Sequence, residues 1–268
     1  MKIFIVIFLI VCVIAIGVFF ATPSTQGQKE QQEQKDEATV VQKGQVTDKE
    51  REYSKEYKKM YSFRKSRKFS EIIEESEHLR TTTEELRSYL GIPGDFFLPN
   101  APVITPAEFL AKLSCKADAI VVGSIKSKAS HMTEDETFIY TEYEFTVQDI
   151  LKNNSSSPIE VDKSIEITRP GGLIKLDNRR IRVEDQSYEP LQKNKEYLLF
   201  LRFVPTANGY MVASPAGDFV LENNSFKTLS KRELPKELLS GESHQTLLNE
   251  VRNSVSVACK QNARGGKQ

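Results

Sequence analysis

Residues 117–152 read ADAIVVGSIKSKASHMTEDETFIYTEYEFTVQDILK. In the second half, Ile139, Thr141, Tyr143, Phe145 and Val147 fall on one face, and Tyr140, Glu142, Glu144, Thr146 and Gln148 fall on the other. Strict alternation over that length is the period of a half-buried β-strand. The segment Ala119–Ser127 predicts a first strand and Thr137–Leu151 a second. The odd-numbered face of the second strand is the expected core. The polar loop between them carries His131, Glu134, Asp135 and Glu136, a candidate binding loop.

Downstream, the chain supplies more strands. Asn153–Pro158 is a turn cluster. Ile165 and Ile167 mark a third strand, ending at Arg169-Pro170-Gly171-Gly172, where the glycines predict a sharp turn. Arg179–Glu184 reads as a short edge strand. Lys195–Phe203, KEYLLFLRF, is a nearly continuous apolar run of the kind found in central strands. Asn208-Gly209 turns into Tyr210–Ala213, and Asp218–Leu221 completes the set. Six or seven short strands with turns between them predict a mainly β fold, and the long second strand favours a small, strongly coiled barrel.

Helices flank this set. Thr105-Pro106-Ala107-Glu108 is a capping box with Pro at the first helical position. It opens a helix that turns Phe109, Leu110 and Leu113 inward. Gln245–Val257 predicts a terminal helix with Leu247, Leu248, Val251 and Val255 on one face.

The N-terminus predicts a membrane attachment. Ile3–Ala21 is apolar apart from the small Cys12 and Gly17, and its helix would span roughly 28 Å, about the hydrocarbon thickness. A cleaved signal has a shorter apolar run ending at a small-x-small site. Phe19-Phe20-Ala21 offers Phe instead, so an uncleaved anchor is favoured over secretion after cleavage. Leu9-Ile10-Val11-Cys12 has the outline of a lipid-attachment motif, but Val11 is the wrong residue before the cysteine. Lys2 points weakly to an inside N-terminus, with the C-terminal bulk outside the cytoplasm.

Residues 22–47 are rich in Gln, Lys, Glu and Ser, and predict a flexible linker. Residues 48–104 predict a charged helical stalk and a Pro-rich connector. Tyr53, Tyr57, Met60 and Tyr61 recur there at helical spacing among basic residues. That stripe suits packing on a neighbour. The surrounding Lys58, Lys59, Arg64, Lys65, Arg67 and Lys68 also suit contact with an anionic surface. Ile72, Ile73 and Leu79 lie on an acidic helix, and Thr82-Thr83-Glu84-Glu85 predicts one more helix, ending at Leu90 before Gly91. These helices are expected to form a stalk or to dock on the barrel. Residues 105–260 then form the barrel with its flanking helices, and 261–268 a tail.

The motif Cys115-x-Ala117-Asp118-x-x-Val121-x-Gly123 resembles the opening of netrin-like modules and tissue inhibitors of metalloproteinases. Leu151-Lys152 and Lys195-x-Tyr197-Leu198-Leu199 are similar to later strands of the same superfamily. Its members have an OB-type β-barrel, so the resemblance implies that fold over roughly Ser114–Leu221. The Pro170-Gly171-Gly172 segment followed by the apolar strand Tyr197-Leu198-Leu199-Phe200-Leu201 also resembles a class of uncharacterised bacterial secreted proteins. In the metalloproteinase inhibitors, a cysteine with a free amine chelates the target's zinc. Cys115 follows more than a hundred residues, so that mechanism does not transfer without processing just before it.

Acidic and basic residues balance at 37 each, which gives no global field to attract nucleic acid, and the expected compartment disfavours it further. The three His and three Cys have no metal-like spacing, and no nucleophile elbow, zinc-protease motif or phosphate loop occurs. No cofactor, metal or catalytic residue is expected. Cys115 and Cys259 are either a disulfide, which a non-cytoplasmic site permits, or two buried thiols. The expected activity is binding: a barrel held outside a membrane by its N-terminal helix, with a protein or cell-envelope polymer as partner. A netrin-like protease inhibitor is the alternative, and an extracytoplasmic hydrolase ranks below it.

Overall fold

The computed structural model describes residues 39–40, 47–60, 68–78, 85–90, 105–176, 179–185, 188–213, 217–230 and 243–264. The chain is mainly β, with a C-terminal helix. Among the described residues, eleven strands form two sheets. They are β1 (Thr39–Val40), β2 (Glu85–Leu90), β3 (Ala119–Met132), β4 (Ile139–Lys152), β5 (Ser164–Pro170), β6 (Gly172–Leu176), β7 (Arg179–Asp185), β8 (Glu196–Val204), β9 (Gly209–Val212), β10 (Asp218–Glu222) and β11 (Ser225–Thr228). The helices among the described residues are α1 (Asp48–Met60), α2 (Phe69–His78), α3 (Pro106–Lys116) and α4 (His244–Arg264).

The larger sheet runs β11-β10-β8-β3-β4-β5-β9, and β9 also pairs with β8. That extra pairing closes β3, β4, β5, β9 and β8 into a ring. Every pairing in the ring is antiparallel except β5–β9, which is parallel. Inside lie Val121, Tyr143, Phe145, Val147, Ile167, Tyr197, Leu199, Leu201 and Tyr210. The odd-numbered face of β4 therefore does enter the core at Tyr143, Phe145 and Val147.

Strand β8 explains its own sequence. Tyr197, Leu199 and Leu201 point into the ring, while Leu198 and Phe200 join Leu110, Leu113, Leu247, Leu248 and Val251 from α3 and α4. A strand buried on both faces cannot alternate, hence the unbroken apolar run. The capping box of α3 forms as its sequence predicts, with Thr105 accepting from the Glu108 backbone and Glu108 accepting from the Thr105 N–H. Ser114 and Ser254 hydroxyls meet at 2.6 Å between α3 and α4.

The smaller sheet, ordered β1-β6-β7-β2, was not foreseen in the sequence. Glu85–Leu90, read from its capping pattern as part of a helix, is instead a strand parallel to β7. Pairing along six consecutive positions supplies what a weak local helix preference does not. Arg179–Asp185 is consequently not an edge strand, because it lies between β6 and β2. Within the predicted linker, Thr39 and Val40 pair with β6. The turn at Gly171 and Gly172 is as sharp as expected. Both have positive φ (85° and 152°), and a side chain on Gly171 would strike the Val183 carbonyl.

Among the described residues no helix is long and apolar enough to cross a membrane. The apolar run Ile3–Ala21, the Pro-rich segment 91–104 and the basic residues Arg64, Lys65 and Arg67 lie outside the described residues.

Two predictions follow from the ring. An added Cβ at Gly123 would sit 2.0 Å from the Thr146 carbonyl oxygen and under 3 Å from the Phe145 ring, at an irregularity in the β3–β4 ladder. Gly123→Val is expected to destabilise the fold by about 3 kcal/mol or more in urea titrations; near-wild-type stability would contradict this packing. Asp218 is fully buried 3.5 Å from Arg169, whose guanidinium lies 4.3 Å over the Tyr188 ring. Burial pushes the Asp218 carboxyl up to about 6, against the opposing pull of Arg169. A carboxyl raised on folding stabilises the fold while protonated, so its contribution is full below about pH 4 and lost as pH rises through about 6. Asp218→Asn should flatten the stability profile across that window, and an unchanged slope would count against it.

Candidate functional site

Helix α1 lies across the outer surface of the ring, over β4, β5 and β9. Its N-terminus carries a reciprocal cap: Glu50 accepts from the Thr47 N–H while Thr47 accepts from the Glu50 N–H at 3.2 Å. Residues Lys49, Tyr53 and Tyr57 are four apart and so share one face of the helix. Tyr53 and Tyr57 are fully buried there, together with Phe138, Tyr140, Val204, Ala207 and Met211. Tyr53 and Tyr57 of the aromatic stripe thus pack on a neighbour, the ring, while the Met60 and Tyr61 side chains lie outside the described residues.

The contacts beneath this face are polar and specific. The Tyr53 hydroxyl donates to Glu166 at 2.9 Å, and the Tyr57 hydroxyl meets Thr168 at 2.8 Å. Lys49 inserts its ammonium between Glu166 and Glu142, bonding the first and standing 3.3 Å from the second. Glu50 lies 3.0 Å from His131 Nδ1, Arg51 reaches Glu134 at 3.1 Å, and Glu56 pairs with Arg202 at 2.9 Å. Thr206, in the turn joining β8 to β9, donates to Glu52. The helix therefore touches both the 133–138 loop and the 205–208 turn, and covers the strands between them.

Burial organises the charges. It raises the Glu142 carboxyl, and the like charge of Glu166 raises it further, against the pull of Lys49 and His131. Burial lowers the Lys49 ammonium, but its bonds and charge interactions with the two glutamates outweigh this and leave it raised. Burial also raises the Tyr53 and Tyr140 hydroxyls, and nearby glutamates add to the effect. The His131 ring stacks on Tyr140 at 5.4 Å, and Tyr140 on Tyr57 at 5.9 Å.

The residues singled out in the sequence have separate placements. His131 is not in the loop: β3 runs on to Met132, so His131 is a strand residue paired with Tyr140. The Ser127-Lys128-Ala129-Ser130-His131 stretch finds polar partners, with Ser127 donating to Glu144, Ser130 meeting Thr141 and His131 meeting Glu50, and a hydropathy pattern reads such a stretch as a loop. Glu134 is held by Arg51. Asp135 shapes its own turn by accepting from the Thr133 and Thr137 hydroxyls. Glu136 adopts a left-handed backbone, and its carbonyl accepts from the Phe69 N–H at the start of α2. Lys68 is exposed beside α2, whereas the side chains of Lys58 and Lys59 lie outside the described residues. Cys115 is half-buried in the last turn of α3, and the Cys259 side chain also lies outside them. Lys49, Glu50, Glu142, Glu166 and Arg202 went unnoticed in the sequence, because isolated charges carry no local signal of meeting across 80 to 150 positions.

A second polar crevice is lined by Glu189, Gln192, Lys195, Tyr197, Glu222 and Lys227. Its lysines are paired, Lys195 with Glu222 and Lys227 with Glu189. Among the described residues no group of three or more His, Cys, Asp or Glu side chains is placed to hold a metal ion. In comparison with known proteins, the chain matches no family model and no curated protein.

Lys49 is the cation that lets two carboxylates share one face. Lys49→Ala should cost up to about 1 kcal/mol at neutral pH, because both partners keep access to solvent. The cost should shrink at mildly acidic pH, because Glu142, its carboxyl raised by burial and by the like charge of Glu166, is protonated earlier than an ordinary glutamate as pH falls, and the repulsion is relieved. Urea titrations at the two pH values check this. An equal loss at both would assign Lys49 a role other than charge balance.

Proposed function

We propose that this chain is a membrane-anchored, extracytoplasmic binding protein whose ring is an OB-type barrel. The observation that carries the reading is the order of the ring. Numbered by appearance, its strands run first, second, third, fifth and fourth, and the only parallel pair joins third to fifth. That order supports the OB reading, under which the face of the second and third strands and the loops on either side would hold the ligand. Here the corresponding features are β4 and β5, the 133–138 loop and the 205–208 turn. The netrin-like resemblance of residues 115–123 and 195–199 supports the same reading, and so does the apolar length of Ile3–Ala21 as an anchor.

The partner class is a protein or a cell-envelope polymer held outside the membrane, and no catalytic role is assigned. The runner-up is inhibition of a protease by loop contact. The metal-chelating form of inhibition fits poorly, because Cys115 stands within α3, nine residues after Pro106, and has no free amine.

Three results test the proposal on the full chain. A C-terminal reporter that works only after export should be active, and the protein should sediment with membranes. Thiol counts on the unfolded chain should rise by two on reduction if Cys115 and Cys259 pair; an unchanged count would remove that bridge. The purified chain should co-sediment with envelope polymer or retain a defined protein partner. Co-purification of a protease whose activity falls would shift the assignment to inhibition. A reporter that is active only in the cytoplasm would overturn the extracytoplasmic placement.

A further inference from the structure

We infer that α1 is a detachable occupant of a peptide-binding face, and that the face accepts a helix from another protein bearing the same Lys-x-x-x-Tyr-x-x-x-Tyr pattern. The inference rests on the reading of β4–β5 as the ligand face, and it adds the chemistry of the ligand.

The occupied face itself shows what fits. The paired carboxylates Glu142 and Glu166 take one ammonium. Glu166 and Thr168 take two tyrosine hydroxyls one helical turn apart. Phe138, Tyr140 and Met211 supply the apolar floor between them. Gly209 leaves the space for the first tyrosine: a Cβ there would lie 2.0 Å from the Tyr53 hydroxyl oxygen and 3.2 Å from Glu166. Charge, ring and hydroxyl positions together specify a cationic, tyrosine-bearing helix and disfavour an anionic polymer.

Two features mark α1 as replaceable. First, it fits incompletely. The Tyr140 hydroxyl is buried beneath it with no hydrogen-bond partner among the described residues, and the same holds for His131 Nε2, whose nearest carboxylate is Glu142 at 3.9 Å. An unsatisfied buried polar atom weakens the state that buries it. A ligand that supplies those partners would bind the face better than α1 does. Second, α1 has thirteen residues and is dominated by charge, so it is too short to be stable alone and holds its shape only while docked. Its release costs the barrel none of its interior, because the ring core and the α3–α4 layer belong to separate clusters.

The test titrates a fluorescent peptide of residues 48–60 into the full chain in detergent. With the wild-type chain, α1 competes and binding is weak. In the Tyr53→Ala/Tyr57→Ala chain the face is free, and affinity for the peptide should rise at least about tenfold. Adding Gly209→Ala to that chain should abolish the gain, because the new methyl takes the place of the tyrosine hydroxyl. Equal binding by all three chains, or binding by none, overturns the inference. Should the double variant not fold, hydrogen exchange on the wild-type chain decides: α1 amides should exchange at least about a hundredfold faster than those of β3 and β8, by local opening. Exchange of α1 only through global unfolding would make it a fixed part of the fold. Tyr140→Phe, which removes the unpaired hydroxyl, should slow that local opening about fivefold. These arms use only the chain and its own segment, so failure to find an envelope partner leaves them unaffected, and their failure leaves the export and co-sedimentation tests standing.

Discussion

Closure of the ring rests on four residues. Strand β9, Gly209–Val212, pairs with β8 on one side and β5 on the other, and without it the larger sheet would remain open. The short connection makes the β8 side inexpensive in entropy: Pro205–Ala207 forms a single 3-10 turn, and Asn208 takes the left-handed conformation needed to reverse the chain. The β5 side spans some forty residues and forms only because Tyr210 and Val212 have places in the buried layers. Tyr210 enters the interior cluster, and its hydroxyl bonds the Asn154 side chain and the Ser157 carbonyl.

Closure also creates the outer surface. Once β9 lies beside β5, Met211 and Gly209 join Tyr140, Glu142, Glu166 and Thr168 on one continuous face, and α1 settles on it. The seat differs in kind from that of α3 and α4. Those helices bury leucines and phenylalanines against β3, β8 and β10, where apolar burial is the main source of free energy, with Arg252–Asp149 and the Lys152 bonds to the end of α3 at the margin. Helix α1 buries two tyrosines but relies for orientation on ion pairs and hydroxyl bonds, which are individually modest and partly solvated. A surface held in this way is specific in geometry and moderate in strength. That combination suits a contact that has to be exchanged.

The elements legible in the sequence were those whose stabilising contacts are written in local periodicity. The alternation of β4 announced its buried face, and the double-sided burial of β8 announced itself as an unbroken apolar run. The capping box of α3 is complete within four residues, so it could be read without knowing the fold. The helix at α1 was visible as a tyrosine stripe, but its partner was not. Strand β2 was misread because its partner among the described residues is β7, almost a hundred residues away, and its local pattern contains a capping box that the pairing overrides. His131 was misplaced for a related reason. Its strand continues on the ring's outer face, where polar neighbours on α1 make a polar strand acceptable.

By itself, the sequence determined the mainly β class, the two central strands, the capped helix before them and the helix after them. It did so because hydrophobic periodicity and capping are local properties of the chain. Only the tertiary structure decided that the strands close into a ring, that a second sheet exists, and that α1 seats Lys49, Tyr53 and Tyr57 on Glu142, Glu166 and Thr168. Those outcomes depend on contacts between residues more than a hundred positions apart in some cases, and their free energy appears only when the ring has brought both sides together.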